Sequence, residues 1–265
     1  MAKRKVFIAV GHGGKDPGAV ANGLKEKDLN LPIALKCRDE LLRHGVDVKL
    51  SRTKDENDTM DDEVKECNAY NPEINLACHV NAGGGDGAEA WVPHNDKASK
   101  DLARDILANL ESVGQNSRGV KTRLLANGQD YYGYIRGTRK NGRMTVLVEY
   151  AFIDNKEDIK IIDTKAEQEV MGIETAKAIL KHLGIKYVKE KKVTYYCCQV
   201  GAFLTRKNAE RQLAKLKSAK FNGYITKSGL YYKCQVGAFS VKNNANNMLN
   251  KLKKAGFNGY ITIKK

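Results

Sequence analysis

The sequence predicts an α/β protein: a mostly parallel sheet flanked by helices, followed by a small ferredoxin-like βαββαβ domain. Apolar runs without polar alternation occur in the first part of the chain, and such runs are typical of strands buried on both faces of a parallel sheet. Helical patterns lie between those runs, as they do in α/β folds. The last part of the chain is an internal duplication, and each copy has the pattern strand, helix, strand.

The N-terminal part supplies the elements of the larger sheet. The predicted buried strands are Val6–Val10, Ile74–Cys78 and Thr145–Val148. The predicted helices span about 28–43, 97–113 and 165–183. Pro32 lacks the N–H that a helix interior needs, so the first helix is expected to begin later than residue 28.

The duplicated segment predicts the smaller domain. Tyr195–Phe203 recurs as Tyr231–Phe239, and Phe221–Thr226 recurs as Phe257–Thr262, both with an offset of 36 residues. The helices of the two copies are predicted at about 205–219 and 241–255. Their matching apolar faces consist of Ala209, Leu213 and Leu216, then Ala245, Leu249 and Leu252.

Net charge divides the chain at the same place. Residues 1–185 hold 28 Lys+Arg and 29 Asp+Glu, a balance of −1, whereas residues 186–265 hold 18 Lys+Arg and two acids, a balance of +16. We therefore predict a catalytic domain over 1–185, a lysine-rich linker over 186–193 and a second domain over 194–265. The basic tail favours an acidic partner such as nucleic acid, anionic lipid or a wall polymer.

The cysteines and the first residues exclude two other classes of protein. The six cysteines form no CxxC pair, so free thiols are expected rather than a disulfide framework or a cysteine metal site. The apolar run Val6–Val10 after a basic start is too short for a signal peptide and has no cleavage site. No stretch of the chain suggests a membrane span.

Polar residues follow or lie near the ends of the predicted strands. His12, His79 and Glu149 each come directly or shortly after a buried run, and Glu26 lies just before the first helix. Carboxyl ends of parallel strands meet at one edge of a sheet, where α/β proteins bind ligands. Two histidines and a carboxylate form a catalytic zinc shell, and a further carboxylate is needed to move a proton. Because no HExxH motif fixes the ligands, the residues alone leave open that both histidines are ordinary loop and strand-end residues.

Five segments resemble, in order, the signature blocks of the zinc-dependent N-acetylmuramoyl-L-alanine amidases of type 3. The segments are His12–Ala19, Gly23–Glu26, Leu50–Thr53, Cys78–Gly85 and Val148–Asn155. The resemblance covers about residues 5–183, and the duplicated tail resembles a SPOR domain, a peptidoglycan-binding module. The pairing is similar to amidases that lyse the mother cell after sporulation and to some phage endolysins.

This resemblance implies hydrolysis of the amide between N-acetylmuramic acid and the L-alanine of the stem peptide. It implies that Zn²⁺ is bound by His12, Glu26 and His79, and that Glu149 is the catalytic carboxylate. Asn81, in the second histidine block, is a further expected substrate contact. The expected partner is peptidoglycan, and the oligomeric state stays open.

Three features near these blocks bear on the substrate. The family often has an arginine shortly before the second histidine strand, where this chain has the acidic stretch 61–66, and Cys78 replaces a residue that is commonly aliphatic. Neither departure touches the expected metal ligands, and the first leaves substrate contacts around 61–70 in doubt. Arg136 is a candidate for pairing with a stem-peptide carboxylate, with a structural ion pair as the alternative.

Alternation along the duplicated strands predicts a glycan-binding face. Side chains of a strand point alternately to opposite faces, so valine and cysteine positions are expected to pack on the helices. The opposite, open face would then carry the sugar-binding side chains Tyr195, Gln199, Tyr231 and Gln235. The alternative is a solvated polar face whose affinity for the wall comes from charge alone.

Two other functions and a route to the wall complete the expectations. A basic nucleic-acid-binding protein is the first alternative, but the strands carry Gln-Val-Gly-Ala-Phe instead of the aromatic motif of RNA-binding RRM domains. A wall-binding protein with an inactive catalytic domain is the second, and the presence of all four key residues disfavours it. Without a signal peptide, the enzyme is expected to be made in the cytoplasm and to reach the wall after holin release or cell lysis.

Overall fold

The computed structural model describes residues 3–140, 142–190 and 194–264. The chain divides into two compact units, Met1–Val188 and Lys189–Lys265. The predicted α/β class with two different sheets is confirmed. Across the described ranges, every helix is too short or too polar to span a lipid bilayer.

The N-terminal unit contains eight strands and six helices within its described residues. The strands are β1 (Lys5–Val10), β2 (Val20–Ala21), β3 (Leu24–Lys25), β4 (Asp47–Leu50), β5 (Ile74–Asn81), β6 (Ala88–Trp91), β7 (Ser117–Lys121) and β8 (Met144–Phe152). The helices are α1 (Glu26–Arg43), α2 (Met60–Tyr70), α3 (Lys97–Glu111), α4 (Gly133–Thr138), α5 (Lys156–Ile159) and α6 (Lys165–His182).

Six of these strands form one mostly parallel sheet in the order β4-β1-β5-β8-β6-β7. Strand β1 pairs in parallel with β4 and β5, and β5 pairs in parallel with β8. The β6–β8 pair is antiparallel. The parallel pairing of β1, β5 and β8 therefore places their carboxyl ends side by side. The carboxyl ends of such strands are where α/β sheets bind ligands.

Helices cover both faces of this sheet. On one face α1, α3 and α6 pack their apolar residues against alternate strand residues such as Val6, Ile8 and Val10. On the other face α2 and α4 pack against Phe7 and Ala9. The alternation of β1 between two buried faces explains why its sequence is apolar throughout.

Two central strands are longer than predicted. Strand β5 continues to Asn81 and β8 continues to Phe152, so His79 and Glu149 lie inside strands rather than after them. The parallel pairing places these two residues directly opposite each other. The extension of β8 has a partner, because Glu149 also pairs with Glu89 of the antiparallel strand β6.

The prediction of a delayed first helix is wrong. Helix α1 begins at Glu26, with Pro32 inside it, so Glu26 is the first helical residue and not a residue before the helix. The backbone N–H groups of Glu26 and Lys27 donate to the carbonyl oxygens of Ala19 and Pro17, which satisfies donors that the first turn leaves free. Pro32 then removes only one internal hydrogen bond, and the start of the helix is fixed by the preceding loop.

The predicted linker begins on the surface of the N-terminal unit. Tyr187 stacks on the imidazole of His44 at 5.1 Å, and the backbone N–H of Val188 donates to His44 Nε2 at 2.9 Å. Residues 191–193 of the predicted linker lie outside the described residues.

The C-terminal unit is the predicted βαββαβ domain. Its elements are β9 (Tyr195–Phe203), α7 (Arg206–Ser218), β10 (Gly223–Ser228), β11 (Tyr231–Phe239), α8 (Lys242–Lys254) and β12 (Tyr260–Lys264). The strands form an antiparallel sheet in the order β10-β11-β9-β12, so the two repeats contribute one central and one edge strand each. The helices pack on one face of the sheet through Ala209, Leu216 and Leu252.

The thiols of the central strands behave as predicted. Cys198 and Cys234 are buried on the helix side, where Cys198 Sγ donates to the Ala245 carbonyl and Cys234 Sγ to the Ala209 carbonyl. Each thiol therefore contacts the helix of the other repeat. All six cysteines of the chain are free and buried, as expected.

The opposite face of this sheet is less open than expected. Tyr195 and Tyr231 are exposed, but Gln199 and Gln235 are only 4% and 7% exposed. The two glutamines pair across β9 and β11, and Gln199 Nε2 donates to the hydroxyl of Tyr260 at 2.7 Å. Side chains of the edge strands thus cover the glutamines, which alternation within a single strand does not reveal.

Close packing of α1 against α6 depends on Gly172. A Cβ atom at this position would lie 2.5 Å from the carbonyl oxygen of Ile33 and 3.0 Å from the backbone nitrogen of Cys37. An alanine normally stabilises a helix relative to glycine by about 1 kcal/mol. Here the backbone contact reverses that sign, because the two helices must move apart.

We predict that Gly172→Ala lowers the free energy of unfolding by about 1–3 kcal/mol, the usual cost of overpacking. Urea unfolding followed by tryptophan fluorescence measures this for the N-terminal unit, since Trp91 is the only tryptophan of the chain. A gain in stability of about 1 kcal/mol would show that helix propensity prevails and that the helix contact is loose.

Candidate active site

A cleft of about 270 Å³ opens at the carboxyl edge of β1, β5 and β8. His12, His79 and Glu149 line it, and Glu26 lies buried behind the two histidines. The structure therefore brings together the four residues that the sequence selected for metal binding and proton transfer. The remaining lining residues are Gly11, Asp16, Asp58, Met60, Glu63, Tyr132, Gly133, Tyr134 and Leu147.

The carboxylate of Glu26 lies between the two imidazoles. Its Oε1 accepts from His79 Nδ1 at 3.0 Å, and its Oε2 lies 3.1 Å from His12 Nε2. Backbone N–H groups of Val80 and Ala19 donate to the same two oxygens at 3.0 and 2.9 Å. Burial raises the pKa of Glu26, but the hydrogen bonds with His12 and His79 outweigh burial and hold it well below its usual range. Glu26 is thus a fixed, ionised carboxylate.

The two histidines are oriented by their neighbours. Burial lowers the pKa of His12, but hydrogen bonds to Glu26 and then Asp16 outweigh it and raise the pKa to about 9. Burial also opposes the charge on His79, yet the bond to Glu26 raises its pKa. The rings stand at 88° to each other with centroids 5.3 Å apart. The same negative potential that draws protons to these nitrogens draws a metal cation.

Two glycines allow this close assembly. A Cβ atom on Gly11 would lie 2.3–2.7 Å from ring atoms of His79, and one on Gly18 would lie 2.5 Å from Glu26 Oε2. Gly18 also has a φ of +65°, a conformation that favours glycine. His12 itself has a φ of 64°, so the loop after β1 turns sharply to bring its ring into the cleft.

The donor set fits a single zinc ion. One nitrogen of each histidine and one carboxylate oxygen of Glu26 all lie within 4.8 Å of one another. Ligand atoms about 2.1 Å from a tetrahedral zinc ion lie roughly 3.4 Å apart, so a small inward movement would let all three bind it. Two histidines and one carboxylate are also the ligand types of a catalytic site, which keeps its fourth position for water or substrate.

Glu149 faces the same cleft but differs in its contacts. Its Oε2 is buried without a hydrogen-bond partner among the described residues. Burial is the main cause that raises the pKa of Glu149, to about 7, with His79 lowering it and Glu26 and Glu89 raising it further. A carboxyl with a pKa near neutrality can both accept and return a proton.

Glu89 provides a buried negative charge beside Glu149. It is 3% exposed and pairs with Arg118 Nε at 2.5 Å and Lys121 Nζ at 2.7 Å. These cations lie on β7, next to the strand that carries Glu89. The ion pairs hold the pKa of Glu89 below its usual range despite burial, so it stays ionised and disfavours a second charge on Glu149.

Glu63 is the main cleft residue that the sequence did not identify. It lies on α2 in the acidic stretch where an arginine is common in the resembling family, and it is 6% exposed. Burial raises the pKa of Glu63 to about 7, and Ser51 Oγ donates to Oε1 at 3.3 Å. The signal in the sequence that could have identified Glu63 as a cleft residue is an acid where the resembling family often has an arginine. The lining adds Asp16 and Asp58, so one wall of the cleft is acidic.

The two predicted substrate contacts lie elsewhere on the edge of the site. Asn81 is two residues beyond His79 on β5, and its Oδ1 accepts from the N–H of Ala82 at 2.8 Å. Arg136 is exposed on α4, where Nη1 donates to the carbonyl oxygens of Asp130 and Tyr131. Both residues stay candidates for substrate binding, and Arg136 also holds the loop before α4.

Arg52 fixes the segments that carry the ligands. Its guanidinium is 2% exposed, and Nε donates to the carbonyl of Val10 at 3.0 Å. Nη2 donates to the carbonyls of Gly11 and Lys27 at 3.3 and 2.9 Å, and Nη1 to that of Lys54 at 3.2 Å. The side chain therefore ties the loop after β1, which bears one histidine, to the first turn of α1, which bears the glutamate.

Known proteins share this fold. Residues 6–181 match the family of N-acetylmuramoyl-L-alanine amidases, and residues 172–227 and 228–265 match the SPOR domain. The first of these matches alone spans more than half of the chain.

The chain belongs to the N-acetylmuramoyl-L-alanine amidase family.

Two curated relatives resemble this amidase over most of its length. The amidase CwlM of Bacillus licheniformis is 32% identical over 83% of this chain and 84% of its own length. The sporulation-specific amidase of Bacillus subtilis is 31% identical over the same shares. Among solved structures, the catalytic domain of the amidase CwlV of Bacillus (Paenibacillus) polymyxa is similar with a TM-score of 0.61 and 25% identity, over 69% of this chain and 99% of that domain.

We predict that Arg52→Lys weakens zinc binding by this amidase about tenfold or more, the usual effect of removing a group that orients metal ligands. Lysine keeps the charge but cannot reach all four carbonyls. Isothermal titration with Zn²⁺ measures the dissociation constant.

Arg38→Lys is the matched control for this substitution, because Arg38 lies on the outer part of α1 and its recorded partner is Asp39. An unchanged dissociation constant in Arg52→Lys would mean that the ligand loop holds its shape without the guanidinium.

Proposed function

We propose that this amidase is zinc-dependent and hydrolyses the amide between the lactyl group of N-acetylmuramic acid and the L-alanine of the stem peptide. Family membership supports the reaction, and two relatives that align over most of the chain are N-acetylmuramoyl-L-alanine amidases, which supports it further. The observation that carries the metal requirement is the group of His12, Glu26 and His79, in which the carboxylate is buried and the two imidazoles are partly exposed.

In this proposal the three grouped side chains hold the ion, and Glu149 stays free of it. A zinc ion held there would supply Lewis-acid chemistry, since such an ion lowers the pKa of a bound water to about 7 and polarises a carbonyl. His12 and His79 bind as neutral imidazoles. Each ring is oriented by a hydrogen bond to its other nitrogen or by the backbone segment that carries it. Glu26 supplies the negative charge that makes a cation favourable in a buried place.

Glu149 is proposed to move the proton of the reaction. The ionised carboxylate accepts a proton from the attacking water, and the resulting carboxylic acid donates it to the nitrogen of the leaving L-alanine. Its unpartnered Oε2 and its pKa of about 7 suit both steps. Glu89 supports the first step, because its fixed negative charge favours the protonated form of Glu149 and so raises the affinity of this carboxylate for the proton.

The C-terminal unit is a SPOR domain and binds the wall. We propose that Tyr195 and Tyr231 stack on sugar rings on the open sheet face, since both are exposed. Gln199 and Gln235 lie buried on the same face. They therefore contribute to glycan binding either by hydrogen-bonding to neighbouring side chains or by contacting the sugar after a covering side chain moves aside. Apolar stacking is insensitive to salt, in contrast to attraction by net charge.

The proposed reaction predicts which chemical ends appear. Digestion of purified peptidoglycan should release new L-alanine amino termini without new reducing sugar ends, as identified by mass spectrometry. A chelator should abolish the release and added Zn²⁺ should restore it. New reducing ends in place of amino termini would identify a glycosidase and contradict the proposal.

The proposed roles predict different outcomes for a variant of Glu149 and a variant of His79. Glu149→Gln should retain one zinc per chain and lose activity by at least about a hundredfold, the usual contribution of a general base. His79→Ala should lose the zinc itself. Mass spectrometry measures the metal content of both variants, and an unfolding curve checks that each is folded. Equal loss of metal in both variants would place Glu149 among the ligands.

The sheet-face proposal predicts salt-resistant binding. In about 1 M salt, where charges are screened beyond about 3 Å, the full chain should still sediment with wall sacculi. Tyr195→Ala combined with Tyr231→Ala should reduce that residual binding. Wild-type binding that disappears in high salt, together with a double variant that binds normally at low salt, would leave net charge as the sole cause.

A further inference from the structure

The positive charge of the C-terminal unit lies mainly on its helices. Among residues 194–264, α7 and α8 together carry nine lysines and arginines, whereas the four strands carry three. The helix cations are Arg206, Lys207, Arg211, Lys215, Lys217, Lys242, Lys251, Lys253 and Lys254. The helices cover the face of the sheet opposite the exposed tyrosines, so most of the charge is not on the proposed glycan face.

Three of these cations form a row along α7. Lys207, Arg211 and Lys215 are spaced four residues apart, which places successive side chains about 6 Å apart along the helix. They lie roughly 160–240° around the helix from the buried Ala209, so the row faces away from the sheet. All three are exposed. We call this row the α7 stripe.

The duplication provides an internal comparison for the α7 stripe. The apolar positions of α7 recur unchanged in α8, as Ala209 and Ala245 illustrate. At the positions equivalent to Lys207 and Arg211, however, α8 has Asn243 and Asn247, which are equally exposed. Solubility and folding of this helix therefore do not require cations there. The two helices have the same net charge of +4, because α7 also carries Glu210 and α8 also carries Lys254, but only α7 has its cations in this row.

The acidic residue of α7, Glu210, pairs with Arg206 and not with a cation of the stripe. Within residues 194–264, the recorded ion pair joins Arg206 to Glu210, on the flank of α7. Lys207, Arg211 and Lys215 have no recorded carboxylate partner in that range. An unneutralised row of charge attracts a polyanion and raises its local concentration.

We propose that the α7 stripe binds a linear phosphate-bearing polymer of the cell wall, a poly(alditol phosphate) such as teichoic acid. The choice of a wall polymer rests on the proposed function, which places the enzyme at the wall. Glycan stripped of its stem peptides carries only one lactyl carboxylate per disaccharide, whereas a poly(alditol phosphate) carries a phosphate in every short repeat and so matches a row of closely spaced cations better. The enzyme would then contact two wall components, with tyrosines on one layer of the unit and cations on the other.

The shape of the stripe favours a chain over a membrane. A bilayer surface is bound by a broad basic patch that has apolar side chains to insert. Leu204, just before α7, is exposed, but a single apolar side chain is a small anchor, and the exposed Asn208, Ala214 and Ser218 beside the stripe add none. They also lack the aromatic rings on which nucleic-acid bases stack. A narrow row of charges fits a thread of phosphates.

The test compares two double variants that each lose two positive charges. Lys207→Asn with Arg211→Asn introduces the residues that α8 carries at the same positions, so the fold is expected to persist. Lys242→Asn with Lys264→Asn is the control, because both lysines are exposed and lie outside the stripe. Each full-length protein also carries Glu149→Gln, which prevents digestion of the wall during the assay. Circular dichroism checks the fold.

Binding is measured to purified poly(glycerol phosphate), and to sacculi before and after hydrofluoric acid removes the phosphate polymer. The stripe variant should bind the polymer and the intact sacculi about tenfold more weakly or worse, whereas the control should lose less than about threefold. The slope of log affinity against log salt should fall by roughly 1.4 in the stripe variant, at about 0.7 per cation for a single-stranded polyanion. Both variants should bind stripped sacculi like the parent.

Three results would overturn the proposal. Equal losses in the stripe and control variants would show that net charge alone acts. Equal parental affinity for intact and stripped sacculi would exclude the phosphate polymer. Tighter, stripe-dependent binding to single-stranded DNA than to poly(glycerol phosphate) at equal phosphate would assign the surface to nucleic acid. None of these assays requires hydrolysis, so failure of the amidase proposal would be visible separately in the digestion products.

Discussion

The Glu26 carboxylate joins the segments on which the site depends. One oxygen accepts from His79 and from the strand backbone at Val80, and the other contacts His12 and the loop at Ala19. A buried carboxylate is costly unless every lone pair has a donor or a cation. That constraint explains why the start of α1, the end of β1 and the middle of β5 converge so closely. The glycines in these loops let the backbone approach.

The two glutamates at this edge of the sheet differ in their surroundings. Glu26 is surrounded by donors, which keep it ionised and suited to holding a metal. Glu149 is opposite His79 on the next strand, with a buried oxygen that has no donor among the residues the structure describes and with a negative charge at Glu89 beside it. The surroundings therefore push the pKa values of the two carboxyls in opposite directions. Different roles follow from different neighbours of the same side chain.

Much of this architecture could be predicted from the sequence, because buried strands and repeats have clear patterns. The apolar runs located β1, β5 and β8, and the duplication gave the order of the C-terminal elements. The cross-strand contacts could not be predicted: the burial of Gln199 depends on Tyr260 of an edge strand. Glu63 was missed for a similar reason, since its approach to the cleft depends on how α2 packs. The positions of the four key residues near strand ends, together with the resemblance to a family, grouped them in the sequence. Their hydrogen bonds could be described only from the structure.

X-ray absorption at the zinc K-edge of the zinc-loaded protein tests the central claim most directly. The account predicts scattering from two imidazoles and one carboxylate oxygen at about 2.0–2.2 Å, with a further light atom in the open position. The Glu149→Gln protein should give the same first shell, because Glu149 does not bind the ion. Loss of an oxygen ligand in Glu149→Gln, or a zinc spectrum that keeps both imidazoles after His79→Ala, would contradict the assignment of His12, Glu26 and His79 as the ligands.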